Sequence, residues 1–371
     1  MKRCFKITAT ILCLFILTGC WDQKIYEKIG FILEVGIEKG NERDLLVTSI
    51  IPVIGGDSKS ATDLLMVEAN SMMQAIDTNN RLSSKLLLGG KIQQILFSEE
   101  TAEKGINNIM NVINRDTQNP LLAYVAVVEG SPRDLMKSEL QFKNKPRPGI
   151  YVNQLIKADI QHSYIPNTKI YNFDIDSFKK GKDPIAPLLK LRRDGIEAIG
   201  SALFSGDKMV GKIGVRETKL LTAMQNKTME ELRIHFDEMQ EVGKPGLGEH
   251  NMSAGLNVSK RKITVELKNN KPVINVLVNF DASVNEFRWN NLDDKSVKKK
   301  AEEVMSKEIK ASGYQTLKYA QKVGSDPLGI GEIVRTKYNS YWKSVNWKEA
   351  YKNAEIHFDT YVSIKDIGDI K

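Results

Sequence analysis

Cysteine is the side chain best placed in this sequence to do covalent chemistry. Three occur, Cys4, Cys13 and Cys20. Cys20 closes the run Leu17-Thr18-Gly19-Cys20, in which small residues precede the thiol. That order suits two linked reactions. The sulfur can form a thioether to diacylglycerol, and a signal peptidase can then cut between Gly19 and Cys20, the small residues letting the chain enter its site. Cleavage frees the amine of Cys20, which is open to a further acyl chain. Two or more acyl chains hold a protein stably on a bilayer, whereas one is marginal. Trp21 follows directly, an indole of the kind favoured at headgroup level. A plain secretory leader with an incidental cysteine would leave the position, flanks and spacing unexplained.

The remaining candidates for chemistry have simpler structural readings. Four histidines occur, His162, His235, His250 and His357. No two stand at the i, i+4 spacing of a helical zinc site, so no metal site is expected. Gly329-Ile330-Gly331 faintly resembles a phosphate loop but lacks the Lys-Ser/Thr pair; with Pro327 it reads as a tight turn into a helix. Tyr338, Tyr341, Trp342, Trp347 and Tyr351 form an aromatic cluster, read as a core layer and alternatively as a ligand or partner surface. The basic stretches Lys179–Lys182, Lys260–Lys262 and Lys298–Lys300 read as solvated faces. Were they to share one surface, they would suit anionic headgroups. No nucleophile elbow or catalytic dyad is recognisable, so no catalytic residue and no cofactor beyond the covalent lipid are expected.

Stepping outward from Cys20, Lys2, Arg3 and Lys6 form a basic start, and Ile7 to Leu17 an apolar stretch of eleven residues. As a helix that stretch rises about 16 Å, roughly half a bilayer's hydrocarbon, so residues 1–19 read as a cleaved signal peptide rather than a span. No later run reaches ~18 apolar residues. The mature chain would keep Cys20 as its one cysteine, which excludes internal disulfides and cysteine-based metal sites. The net charge of +8 falls to +5 without the leader, too mild for a nucleic-acid footprint. With 41% apolar residues over 371 positions, two or three domains with real cores are expected.

Hydrophobic periodicity places the elements. Ile29 to Glu38 and Leu45 to Val53 predict a hairpin around Gly40–Arg43, and Leu64 to Ala69 is ambiguous. A helix is expected over Ser71 to Leu82 and a strand over Lys91 to Phe97. Ser98 starts a helix whose stripe is Ala102, Ile106, Ile109, Met110 and Ile113. Leu121 to Val128 reads as a strand buried on both faces, giving a βαβ unit. Residues 141–149 and 179–187 read as surface stretches, Tyr151 to His162 as a helix. A second half opens with a hairpin, Ala198–Phe204 and Met209–Ile213. A short helix over Glu217 to Asn226 and a turn at Gly243 to Gly248 follow. Ile263–Leu267 and Val273–Val284 form another hairpin, with Ile274, Val276, Val278, Phe280, Ala282 and Val284 on one face. Helices are expected over Asp294 to about Lys310 and Glu332 to Trp342. Ile356, Phe358, Thr360, Val362 and Ile364 alternate as one terminal strand. No internal repeat is found.

Leu17-Thr18-Gly19-Cys20-Trp21-Asp22, then Gly36-Ile37-Glu38, Gly105-Ile106 and Arg115-Asp116, resemble the C-subunit lipoproteins of bacterial spore germinant receptors, the Ger(x)C family. So do Asp326-Pro327-Leu328-Gly329-Ile330-Gly331, Tyr341-Trp342, Trp347 and Ile364-Lys365-Asp366-Ile367-Gly368. Glu38 departs from the Asp expected there. The resemblance implies several mixed α/β domains with sheets flanked by helices. It implies a lipid-anchored, non-enzymatic third component of a complex in the spore inner membrane, required for nutrient-triggered germination. Its partners would be two integral membrane subunits. Whether this subunit itself binds nutrient is left open.

The expectation is therefore an α+β protein: signal peptide 1–19, an N-terminal mixed α/β domain over 20–195, and a C-terminal α+β domain over 196–371, a further division near 270 being left open. The function expected is that of a tethered receptor subunit. The alternative is a solute-binding lipoprotein delivering a nutrient to a transporter, which would show two similar lobes around a cleft. A surface-anchored enzyme is disfavoured by the lack of any catalytic constellation.

Overall fold

The computed structural model describes residues 28–53, 62–115, 119–228, 230–237, 239, 242, 251–287 and 292–367. Gly19, Cys20, Trp21, Asp116, the Gly243 to Gly248 turn, His250 and Gly368 lie outside the described residues. The elements form an α+β arrangement of two large unlike sheets and one two-stranded sheet with helices; the α+β class is as expected.

The first sheet has a parallel centre and antiparallel margins. β1 (Ile29–Phe31) stands apart, pairing in parallel with β5 (Leu86–Leu88). β2 (Glu34–Glu38) and β3 (Leu45–Pro52) make the expected hairpin. The ambiguous run becomes β4 (Thr62–Ala69), antiparallel to β3. Helix α1 (Met72–Leu82) starts where Ser71 caps the amide of Gln74. β6 (Gln94–Ser98) and β7 (Tyr124–Glu129) are parallel, joined by α2 (Glu99–Lys104) and α3 (Asn107–Arg115), which is the βαβ unit. After α4 (Pro132–Glu139), α5 (Ile150–Gln161) and α6 (Ile170–Phe178), β8 (Ile185–Arg192) pairs in parallel with β7. β9 (Gly195–Ser205) and β10 (Lys208–Ile213) finish the sheet in antiparallel fashion. The order is β10-β9-β8-β7-β6-β2-β3-β4.

β7 explains why this sheet needs two layers of helices. Val125 and Val127 pack in one core with Ile106, Ile109 and Phe173, while Ala126 and Val128 pack in another with Leu135, Met136 and Ile156. A strand apolar on both faces is stable only when both are covered.

The second sheet is carried by a long hairpin. α7 (Val215–Gln225) leads to β11 (Leu232–Phe236), then β12 (Met252–Lys268) and β13 (Lys271–Phe287) pair along their length. α8 (Lys295–Val323) runs about 43 Å at 1.5 Å per residue. α9 (Ile330–Lys337), α10 (Asn339–Ser344) and α11 (Trp347–Lys352) precede β14 (Glu355–Asp359) and β15 (Val362–Asp366), both parallel to β13. All six alternating residues from Ile274 to Val284 are buried in this core, as predicted.

Several expectations change. The single helix after Ser98 breaks at Gly105, because Asp207 from the β9–β10 turn caps the second segment, its Oδ2 accepting from the Asn107 amide at 3.1 Å. Residues 179–187 are only partly a surface stretch: β8 begins at Ile185, and Pro187 precedes the pairing with β7, which starts at Leu188. The hairpin assigned to the second half extends the first sheet, so that sheet crosses the expected boundary at 195/196. The helix from Asp294 continues to Val323, past Gly313, which lets the Phe358 ring approach: a Cβ there would lie 2.3 Å from it. The helix over Glu332 to Trp342 is two, because Tyr338 turns its hydroxyl onto the Val265 carbonyl at 3.2 Å. The terminal strand is also two, yet Leu277↔Asp359 and Phe280↔Val362 keep the same register, so the alternation survives the break.

Candidate functional site

The two large sheets meet at a junction built from the middle and the last third of the chain. A small apolar core of Ile185, Leu203, Ile213, Leu221 and Ala320 joins them. Beside it lies a cleft of about 500 Å³, lined among others by Phe178, Lys180, Lys182, Trp342, Trp347 and Lys348. That size suits a small molecule. Asp183, reached by the chain after α6, accepts from the Gly206 amide at 2.6 Å and the Asp326 amide at 2.8 Å. The Gly181 carbonyl accepts from the Glu332 amide at 3.0 Å.

Asp326 explains the glycine turn. Its carboxylate accepts from the amides of Ile330 at 2.9 Å and Gly331 at 2.8 Å, and from the Trp347 indole at 3.3 Å. The start of α9, where a bound phosphate would sit, is thus filled by the protein's own carboxylate. The turn reading of Gly329-Ile330-Gly331 holds, and the phosphate reading is excluded. Burial pushes the Asp326 carboxyl up to about 7, against the opposing pull of its amide donors. Burial raises Asp183 as well. Gly181 and Gly331 let the segments touch: a Cβ on Gly181 would lie 2.5 Å from the Gly331 carbonyl carbon.

The aromatic cluster serves both readings at once. Trp342, Trp347 and Tyr351 form a tilted row, with centroids 5.5 Å and 5.7 Å apart. Trp347 and Tyr351 are core residues, and the same row walls the cleft. Tyr338 and Tyr341 pack against the second core and away from it. Of the basic stretches, Lys179–Lys182 reaches the cleft, while Lys260–Lys262 lies on β12 and Lys298–Lys300 on the first turns of α8. The described histidines stay separate: His162 contacts Glu230 at 3.4 Å, His235 bonds Ser253 at 2.7 Å and His357 bonds Glu355 at 2.6 Å. Among the described residues no three His, Cys, Asp or Glu converge as a metal site. Glu38, the departure noted above, accepts from Ser131 Oγ at 2.7 Å and the Arg133 amide at 2.9 Å, so the longer acid caps α4.

Sequence reading missed Asp183 and Asp326 as junction residues, and also a buried acidic pair. Glu34 and Glu139 are both buried; the Glu139 carboxylate accepts from the Gly149 amide at 2.9 Å. Burial, and then the charge of Glu139, raises Glu34 well above the carboxylate range; burial brings Glu139 to about 7. The Asp183 and Asp326 carboxylates are committed to backbone amides and the Trp347 indole, and the open walls offer rings and ammonium groups.

The class defined by this geometry is an α+β protein of two large sheets with a cleft at their junction. Two family descriptions match it: "Spore germination protein N-terminal domain" over residues 22–191 and "Spore germination B3/ GerAC like, C-terminal" over residues 199–368. The chain belongs to the Ger(x)C family, the C subunits of germinant receptors, proteins of spore germination. It is similar to "Spore germination protein GerQC" of Bacillus cereus, 24% identical over 374 residues and 99% of each chain. It is also similar to "Spore germination protein A3" of Bacillus subtilis (strain 168), 23% identical over 98% of each. The solved structure titled "Crystal Structure of the GerBC protein" shares the fold, with a TM-score of 0.56 at 17% identity, over 90% of this chain and 97% of that one.

Proposed function

We propose that this chain is the lipid-anchored, non-enzymatic C subunit of a germinant receptor. Cys20 carries diacylglycerol, its freed amine a further acyl chain, and no other cofactor takes part. The anchor holds the folded body at the spore inner membrane beside two integral membrane subunits. Confinement to that surface raises its effective concentration for those partners without any new contact. Nucleic acid is not among them.

The observation that carries this reading is the lipobox itself, with small residues leading to Cys20. Lys28, the first described residue, stands eight positions later, a reach of at most about 29 Å. Among the described residues no helix is long and apolar enough to cross a membrane. The solute-binding alternative calls for two similar lobes, whereas the two sheets differ in strand order and direction.

Mass spectrometry of the N-terminal peptide from spore membranes tests the reading. Expected is a peptide starting at Cys20 with its sulfur in a thioether to diacylglycerol, and a Cys20→Ala chain that a salt wash removes from membranes. An unmodified Cys20 in the native membrane fraction would overturn it.

A further inference from the structure

Helix α6 turns an apolar stripe outward. Ile170 and Phe173 face the core, while Tyr171, Ile175 and Phe178, spaced i, i+4 and i+7, are 43%, 53% and 61% exposed. Leu121 and Leu122 extend this patch and are 49% and 65% exposed. They are held beside the helix start, where the Tyr171 amide donates to the Leu121 carbonyl at 3.1 Å. Asp174 flanks the stripe, but its Oδ1 is turned out of solvent. An amphipathic helix in a globular protein normally turns such residues inward.

The stripe runs directly into Lys179-Lys180-Gly181-Lys182. Lys179 and Lys182 share one carboxylate, Asp176, at 3.1 Å and 2.7 Å. Lys227 crowds the same place; its ammonium is held below the usual lysine range by burial first and by the charge of Lys182 next. Cations therefore outnumber anions at this end of the helix. The start of the described chain is on the same side. β1 pairs with β5, and Gly89, just after β5, is in contact with Asn119, two residues before Leu121. Apolar side chains at the centre and lysines at the end are the composition of a surface that enters an anionic bilayer interface.

We infer that Tyr171, Ile175, Phe178, Leu121 and Leu122 form a membrane-docking face that enters the headgroup–acyl boundary, while Lys179, Lys180 and Lys182 meet the phosphates of anionic phospholipids. The face orients the body on the membrane and acts independently of any lipid at Cys20. Its contribution is reversible and salt-sensitive, since each lysine near an anionic surface adds only about 1 kcal/mol.

The test uses the mature chain from residue 20 with Cys20→Ser, which carries no acyl group and, because Cys4 and Cys13 lie in the leader, no other cysteine. Sedimentation with vesicles of phosphatidylcholine alone and of phosphatidylcholine mixed with phosphatidylglycerol reads the binding. Binding is expected only with phosphatidylglycerol, weakened about fivefold by each of Lys179→Gln and Lys180→Gln. A nitroxide on Ile175→Cys or Phe178→Cys should become accessible to dissolved oxygen and shielded from a water-soluble relaxation agent. A nitroxide on Arg193→Cys, in the turn just past the far end of β8 and about 25 Å from Ile185, should not change. Equal binding to both vesicles, or a Phe178→Cys label still in water on bound vesicles, would overturn the inference. So would binding to native membranes without binding to the phosphatidylglycerol vesicles, which would assign the face to a protein. Because the chain lacks acyl groups, none of these outcomes bears on acylation of Cys20.

Discussion

Asp183 and Asp326 close a reciprocal pair across the junction: the Asp326 amide donates to the Asp183 carboxylate at 2.8 Å, and the Asp183 amide donates to the Asp326 carbonyl at 2.9 Å. Through Asp183 the first sheet also holds the Gly206 amide, and through Asp326 the second part holds the start of α9 and the Trp347 indole. Four segments distant in sequence are thus fixed by two side chains. The cleft keeps its shape because its floor is hydrogen-bonded.

Asp326→Ala should therefore be among the most costly single changes. It leaves two amides and one indole N–H without their acceptor in a buried place, where each unmet donor costs about 1–3 kcal/mol. A loss of roughly 3 kcal/mol in urea unfolding is expected. A loss below ~1 kcal/mol would mean that water replaces the carboxylate and that the junction does not depend on it.

Gly331→Ala tests the close approach instead of the charge. The new Cβ would lie 2.4 Å from the Trp347 indole nitrogen and 2.5 Å from the Gly181 Cα, so one segment must move. The expected outcome is a loss of about 2–3 kcal/mol and a changed near-ultraviolet circular dichroism signal from the Trp342–Trp347–Tyr351 row. An unchanged aromatic signal would show that the two segments have room to part.

Much of this architecture was legible because its signals are local. The alternation from Ile274 to Val284 and the unbroken run before Glu129 gave the hairpin and the buried strand directly. What escaped depends on partners far away in sequence. Asp207 breaks a helix a hundred residues before it, and Phe358 explains why Gly313 interrupts none. Asp183 was hidden inside a stretch whose lysines and prolines read as surface. The aromatic cluster was legible as a group, but not its double duty as core and cleft wall. Cys20 lies outside the described residues, so its reading rests on the lipobox spacing.

The β12–β13 turn gives a test with the opposite sign. Asn269 and Asn270 have φ of 49° and 61°, the two positive values that a tight hairpin turn requires. Glycine takes this conformation without steric cost, and a β-branched residue does so poorly. Asn270→Gly should hold or raise thermal stability, and Asn270→Val should lower it by about 1–2 kcal/mol. Equal melting of the two variants would mean that the turn does not set the register of this hairpin.

The buried pair of Glu34 and Glu139 predicts a pH dependence whose sign is fixed by burial. Both carboxyls are raised in the folded state, Glu139 to about 7, so the folded protein holds protons that the unfolded chain releases at lower pH. For Glu139 the favourable contribution is complete below the unfolded carboxylate value and is lost as pH rises through about 7, and Glu34 adds a slope of the same sign. Asp326, also raised to about 7, adds a slope of the same sign. Glu34→Gln keeps a neutral side chain of the same shape and removes one of the two buried acids. It should flatten the decline in stability between about pH 5 and about pH 8, leaving the parts due to Glu139 and Asp326. Urea unfolding of parent and variant at both ends of that range measures it, and parallel curves would show that the pair does not titrate there.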